Sequence, residues 1–121
     1  MVFIYILGLL ENKYYVGKTN YPSNRINDHY NGNGSSWTKK YKPVRICHVI
    51  PDMDTYDEDK YVIQYMNLYG IENVRGGSFS CLFLSSYTID ILKKMCLSAN
   101  NRCYICKKND HFSNECKRIY I

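Results

Sequence analysis

No apolar run in these 121 residues approaches the roughly 20 needed to cross a bilayer, which excludes a helix spanning the membrane. The apolar opening, Met1 to Leu10, lacks the basic flank and small-residue cleavage site of a secretion signal and runs straight into Glu11, so it reads as a strand. An intracellular protein with no membrane partner is expected. Acid is also scarce where the chain begins: residues 1–50 hold only Glu11 and Asp28 against Lys13, Lys18, Arg25, Lys39, Lys40, Lys42 and Arg45, a net of +5. Residues 51–75 reverse this, with Asp52, Asp54, Asp57, Glu58, Asp59 and Glu72 against Lys60 and Arg75, a net of −4. A basic half suits phosphate contacts, and an acidic segment beside it suits a divalent cation; the bland alternative is a solvated surface of mixed charge. With 45% hydrophobic and 15% aromatic residues the chain is globular rather than disordered, long enough for one core and an appendage.

What is present begins with two short aromatic strands, Ile4-Tyr5-Ile6 and Tyr15-Val16-Gly17, separated by Gly8 to Lys13. Glu11-Asn12-Lys13 has turn chemistry, so the pair predicts a hairpin that brings Tyr5 near Tyr15. Pro22 suits the first turn of a helix, with Thr19 or Asn20 as its cap and Asn31-Gly32 as its stop. Arg25 and His29, four apart, fall on one face of that helix. Two phenols, a guanidinium and an imidazole can then converge.

The order of these residues resembles the GIY-YIG endonuclease family, whose domain opens with two tyrosine strands and a helix bearing an R-x3-H pair. The first motif lacks the family's glycine but keeps its tyrosine as Tyr5. The second stands as Tyr15-Val16-Gly17-Lys18-Thr19, with valine for isoleucine. The likeness continues through Gly34-Ser35-Ser36-Trp37-Thr38-Lys39-Lys40-Tyr41-Lys42-Pro43-Val44 and covers about the first two-thirds of the chain. It implies an α+β fold, a small mixed or antiparallel sheet with flanking helices. It further implies Tyr5, Tyr15, Arg25, His29 and Glu58 as catalytic residues, Glu58 holding Mg²⁺ or Mn²⁺, with Asn73 in the family's asparagine role.

Further along, Asn31 to Ser36 reads as a glycine-rich loop, and Trp37, Lys39 and Lys40 as a substrate-facing edge, with Lys18 in support. Val44, Ile46, His48 and Ile50 alternate with Arg45, Cys47 and Val49 at strand period, ended by Pro51. A helix is expected from near Asp54 or Thr55 to Tyr69, with Val62, Met66 and Tyr69 on one face and Gly70 as its stop. Ile71 to Gly77 reads as turns, Phe79 to Leu84 as a strand, Ser86 to Leu97 as a helix and Ser98 to Arg102 as a linker. Glu58 has two readings. Four before Val62, it lies over the apolar face, where a carboxylate needs a reason such as a metal; as the third residue after Thr55 it also fits a capping box. Asp57 and Asp59 are the neighbouring alternatives.

The C-terminal stretch carries the sharpest local pattern. Cys103, Cys106, His111 and Cys116 have the C-x2-C-x4-H-x4-C spacing of a retroviral-type zinc knuckle, three thiolates and an imidazole closing tetrahedrally around a structural Zn²⁺. A disulfide framework is the alternative. Resemblance to such knuckles makes Tyr104, and second Phe112, stacking surfaces for bases, with Lys107 and Lys108 for phosphates. Residues 1–84 are thus expected to form a nuclease-like domain, 85–101 a helix and linker, and 102–118 the knuckle. The expected activity is hydrolysis of phosphodiesters by a monomer, on DNA before RNA or single strands. The rival is a non-catalytic nucleic-acid-binding adaptor on a decayed nuclease fold, and a zinc-stabilised protein-interaction module is a third reading.

Overall fold

The computed structural model describes residues 1–100, with side chains to residue 96. The zinc-knuckle residues Cys103, Cys106, His111 and Cys116, with Tyr104, Lys107, Lys108 and Phe112, lie outside the described residues. Strand β1 (Phe3–Leu9) and strand β2 (Lys13–Thr19) pair antiparallel as the expected hairpin, with Tyr5 opposite Gly17 and Leu7 opposite Tyr15. Its turn places Glu11 and Asn12 at φ 61° and 59°. Two successive positive φ values match the twist of a tight hairpin, and Asn tolerates that region better than most residues.

Helix α1 (Pro22–Tyr30) starts with proline at its first position, as expected, and its last turn ends on Asn31 with Gly32 at φ 81°. Thr19 Oγ1 accepts the amide of Tyr21 at 3.0 Å and so fixes the entry to α1, although no side chain caps the helix itself. The stretch read as loop ends in a short helix α2 (Ser36–Lys40), whose cap Ser35 accepts the Thr38 amide. Strand β3 (Pro43–Ile50) returns along the free edge of β1, helix α3 (Asp57–Tyr69) stops at Gly70, and strand β4 (Val74–Gly76) joins β2 in parallel. Helix α4 (Ser86–Asn100) completes the fold. The sheet is mixed, in the order β3-β1-β2-β4.

Because β1 and β2 are central, both of their faces are covered. On one face Ile4, Ile6, Tyr14 and Val16 pack with Val62, Tyr65 and Met66 of α3, Val74, and Leu92 of α4. On the other, Tyr5, Leu7, Leu9 and Tyr15 pack with Ile26 of α1 and Trp37 of α2. Burial of each large apolar side chain contributes about 1.5 to 3 kcal/mol, so the hairpin is the best-anchored part of the chain.

Several expectations are corrected here. Trp37 is not on a substrate-facing edge: it is 3% exposed, its indole N–H donates to the Tyr14 carbonyl at 2.9 Å, and Arg75 lies over its ring. A large aromatic ring beside glycines and lysines gives no sign in sequence that it is a core anchor. Phe79 to Leu84 forms no strand beyond one bridge from Phe79 to Gly76, and the extended pairing falls instead in Val74–Gly76, within the segment read as turns. In β3, Val44, Ile46 and Val49 are exposed while Cys47 packs against the core, so neither alternating set is buried as a whole. Register shifts beside Leu7 and Leu9 accompany this pairing. Tyr69, placed on the inner face by spacing, is 43% exposed and stacks on Tyr14 with ring centroids 4.2 Å apart. Helix α4 runs past Leu97 to Asn100, into the stretch read as linker. Among the described residues no helix is long and apolar enough to cross a membrane.

Candidate active site

Strand alternation sends Tyr5 and Tyr15 to the face that α1 covers, and α1 lays His29 across both phenols. Tyr5 Oη and His29 Nε2 are 2.8 Å apart, in a hydrogen bond that is fully buried. The imidazole centroid lies 5.6 Å from the Tyr5 ring and 4.8 Å from the Tyr15 ring, and the two tyrosine rings are 6.2 Å apart. Glycines make this fit possible. A Cβ on Gly17 would fall 2.3 Å from Tyr5 Cζ, and one on Gly34 would fall 2.0 Å from His29 Nδ1. Both positions need a bare backbone because an aromatic ring occupies the space.

The electrostatics follow from burial. The Tyr5 and Tyr15 phenols are pushed up chiefly by desolvation, against which the Arg25 guanidinium, near both oxygens, pulls them down. His29 is driven down to about 4, first by burial and then by Arg25, so the ring is neutral at physiological pH. Arg25 is itself partly exposed and holds Asp28 at 3.7 Å across one helical turn, a weak pair that leaves the guanidinium able to engage an anion.

Glu58 enters from the first turn of α3. Its carboxylate is pushed up by burial, while Lys18, 3.9 Å away, pulls it down, and its charge is felt at both Tyr5 and Tyr15. The capping alternative is not realised. Helix α3 begins at Asp57, and it is Asp57 that reaches back to the Asp54 amide at 2.8 Å. Asp59 is likewise committed, accepting the Ser78 amide and hydroxyl at 2.8 and 2.7 Å. Of the three consecutive acids, Glu58 alone faces the phenols. Lys18 Nζ also donates to the Thr55 carbonyl at 3.2 Å and so ties the end of β2 to the approach of α3.

Asn73 is not brought to this cluster. Its amide oxygen accepts from Lys13 at 2.6 Å and its NH₂ donates to the Tyr69 carbonyl at 2.6 Å, at the start of β4, which pairs with Tyr14 rather than with Gly17. Lys39 and Lys42, both exposed, line a cavity of about 310 Å³ with His29, Tyr30, Asn31 and Thr38. Lys40 instead lies over the rings of Tyr41 and Phe83, at 5.5 and 5.2 Å from their centroids. Sequence reasoning missed Thr38, whose hydroxyl stands 2.8 Å from His29 Nδ1. Only its place in a short helix behind the histidine reveals it, and the sequence reads that stretch as the end of a loop and a substrate-facing edge.

The model of the GIY-YIG catalytic domain matches residues 1–72. The chain belongs to the GIY-YIG family. That stretch contains Tyr5, Tyr15, Arg25, His29 and Glu58, and stops one residue short of Asn73. The family's members are nucleases that act on nucleic acid. A UPF0213 protein of Bacillus velezensis is 37% identical over 46 residues, which are 38% of this chain and 46% of that protein. The match thus spans less than half of the relative's length. No solved structure matches the chain.

No group of three or more His, Cys, Asp or Glu stands together among the described residues, so a metal here would rest on Glu58 with few other protein ligands. A single half-buried carboxylate does fit Mg²⁺ or Mn²⁺, hard ions that keep several waters and need few protein ligands. It does not fit zinc, whose sites need three or four protein ligands.

Proposed function

We propose that this GIY-YIG protein is an endonuclease that hydrolyses phosphodiester bonds with one Mg²⁺ or Mn²⁺ held by Glu58. The observation that carries the reading is the buried 2.8 Å bond from Tyr5 to His29, inside a cluster that also holds Tyr15, Arg25 and Glu58. A buried phenol bonded to a neutral imidazole, beside an arginine and a carboxylate, has little structural purpose that plain packing would not serve better.

The protein's own groups divide the work. Arg25 binds the scissile phosphate and opposes the charge that grows on its oxygens during attack. Tyr5 takes a proton from the attacking water while His29 receives the phenol's own proton, so no free phenolate is needed from a group whose pKa burial has raised. Tyr15 flanks the imidazole and keeps solvent from it. Lys18, which neutralises Glu58 when no cation is bound, is then free for phosphate. A divalent cation on Glu58 would supply further positive charge against the phosphate oxygens. Lys39, Lys40 and Lys42 extend the basic surface for the flanking backbone.

The C-terminal Cys103, Cys106, His111 and Cys116 we read as a structural zinc knuckle over residues 102–118, with Tyr104 and Phe112 stacking on bases and Lys107 and Lys108 contacting phosphates. Ligand spacing supports this, as does the polar stretch before it. DNA is the substrate we favour. Supercoiled plasmid and a labelled oligonucleotide, incubated with the protein with and without Mg²⁺ or Mn²⁺, test the proposal. Metal-dependent nicking is expected. A salt-sensitive shift without nicking would make the chain a binding adaptor instead.

A further inference from the structure

The imidazole of His29 is held at both nitrogens, and the partner of the second one decides which nitrogen carries the proton. Thr38 Oγ1 lies 2.8 Å from His29 Nδ1, 3.2 Å from the Ser35 carbonyl oxygen and 3.2 Å from Ser35 Oγ. A carbonyl can only accept, so Thr38 is the donor in its contact with the Ser35 carbonyl; a bare Nδ1 would compete for the same single hydrogen. Ser35 Oγ in turn accepts the Thr38 amide at 3.2 Å and retains its own hydrogen to give back to Thr38. The Thr38 oxygen therefore turns a lone pair to Nδ1, and two facing lone pairs would repel. With the Thr38 hydrogen on the Ser35 carbonyl, it is Nδ1 that carries the hydrogen. The other side is compatible with this: Arg25, a donor only, engages a lone pair of the Tyr5 oxygen, and the phenol hydrogen is available to Nε2.

We infer that Thr38 is a positioning residue that fixes His29 as the Nδ1–H tautomer, so that the bare Nε2 can draw the proton from Tyr5. The inference rests on the nuclease reading above for its catalytic consequence but not for the tautomer itself. During attack the O–H bond of Tyr5 breaks as the proton moves to Nε2, and the phenol oxygen takes a proton from water. The resulting hydroxide bonds to phosphorus, and the leaving oxygen departs with the electron pair of the broken P–O bond and is protonated by solvent. One proton has passed from water to the imidazole, which becomes a cation with Nδ1–H still on Thr38. In the other tautomer Nε2 already bears a hydrogen and this step has no acceptor. His29 and Thr38 are each 1% exposed and a Cβ on Gly34 would overlap Nδ1, so the Nδ1 side of the ring is closely packed. The groups that face the ring are Tyr5 and Tyr15 from the sheet and Arg25 and Asp28 from α1, with Lys39 and Lys42 around the adjoining cavity.

Thr38→Val keeps the shape and removes the acceptor, whereas Thr38→Ser keeps the hydroxyl. Nitrogen NMR of the imidazoles in isotopically labelled full-length protein reads the tautomer, with the His29 signals assigned by their loss in His29→Gln. The Nδ1–H form is expected in the wild type and in Thr38→Ser, and a shift toward Nε2–H in Thr38→Val. Single-turnover cleavage at saturating substrate should fall on the order of ten- to hundred-fold in Thr38→Val and return in Thr38→Ser, with the acid limb of the pH–rate profile displaced only in the valine variant. An Nε2–H wild type overturns the inference. So does a valine variant with unchanged tautomer and rate, or a serine variant as impaired as valine. A wild type that never cleaves, yet shows an Nδ1–H ring that valine abolishes, would sustain the positioning role and discard the nuclease reading.

Discussion

Gly17 lies opposite Tyr5 in the hairpin, and its missing side chain is the space that the Tyr5 phenol fills: an added Cβ would stand 2.4 Å from Oη. The glycine of the second motif is thus a steric condition for the tyrosine of the first. Gly17→Ala should force the ring off its rotamer, destabilise the protein by about 1 to 3 kcal/mol and break the bond to His29. Urea unfolding measures the first effect, and loss of cleavage beyond what the unfolded fraction explains measures the second. An alanine variant with wild-type stability and rate would mean the ring has room to move.

His29 should make stability fall in acid. Its folded pKa of about 4 lies below the ordinary 6.5, so the unfolded chain takes up a proton before the folded one does. The contribution is therefore intact above pH 6.5 and is lost as pH drops toward 4, by roughly 3 kcal/mol in all. Glu58, pushed the other way, gains relative stability over the acid end and partly masks this. Denaturant titrations at pH 7 and pH 4.5 on the wild type and His29→Gln separate the two, because the glutamine variant should lose less between those values. Equal losses would show that the ring is not the group responsible.

Glu58→Gln should abolish metal-dependent cleavage and leave the fold intact. The amide keeps the shape but gives up the charge, and the capping duty at the start of α3 belongs to Asp57. Its melting temperature should match the wild type without metal, and the stabilisation that Mg²⁺ or Mn²⁺ gives the wild type should be absent. Cleavage that survives the substitution would remove Glu58 from the mechanism.

The hairpin, α1 and the end of α3 were legible because each carries local chemistry: alternating aromatics, a turn, an N-terminal proline, a terminal glycine. So was the convergence of Tyr5, Tyr15, Arg25 and His29, which needs only strand and helix periodicity once the hairpin is drawn. What was not legible depends on contacts distant in sequence. Trp37 is a core residue because Tyr14 offers its carbonyl and Arg75 its guanidinium, 23 and 38 positions away. The three-residue β4 is a strand only because β2 has a free edge, and Asn73 is drawn to Lys13 and Tyr69 by the same pairing. Neighbouring acids at 57, 58 and 59 look alike in sequence, and only the direction each takes around the first helical turn separates a cap, a candidate ligand and a loop anchor.

The two parts of the chain should separate when substrate affinity and turnover are measured apart. Zinc at one equivalent should co-purify with the full chain and be lost in Cys106→Ser, which native mass spectrometry under reducing conditions reads directly. Truncation after Asn100, where α4 ends, keeps Leu92 in the core and removes the proposed stacking surfaces Tyr104 and Phe112. Stacking is worth roughly 1 to 3 kcal/mol per base, so the truncated protein should need about ten-fold to several-hundred-fold more substrate for half-maximal cleavage. Its single-turnover rate at saturation should be unchanged, because nothing beyond Asn100 is asked to touch the scissile phosphate. Arg25→Ala should do the opposite: it withdraws a charge that matters most once negative charge has built up on the phosphate, so the rate falls far more than the affinity. Titrating both variants on one labelled strand at fixed salt makes the comparison. If the truncated protein cleaves at the wild-type substrate concentration, the C-terminal segment does not hold the substrate and the knuckle serves some other partner.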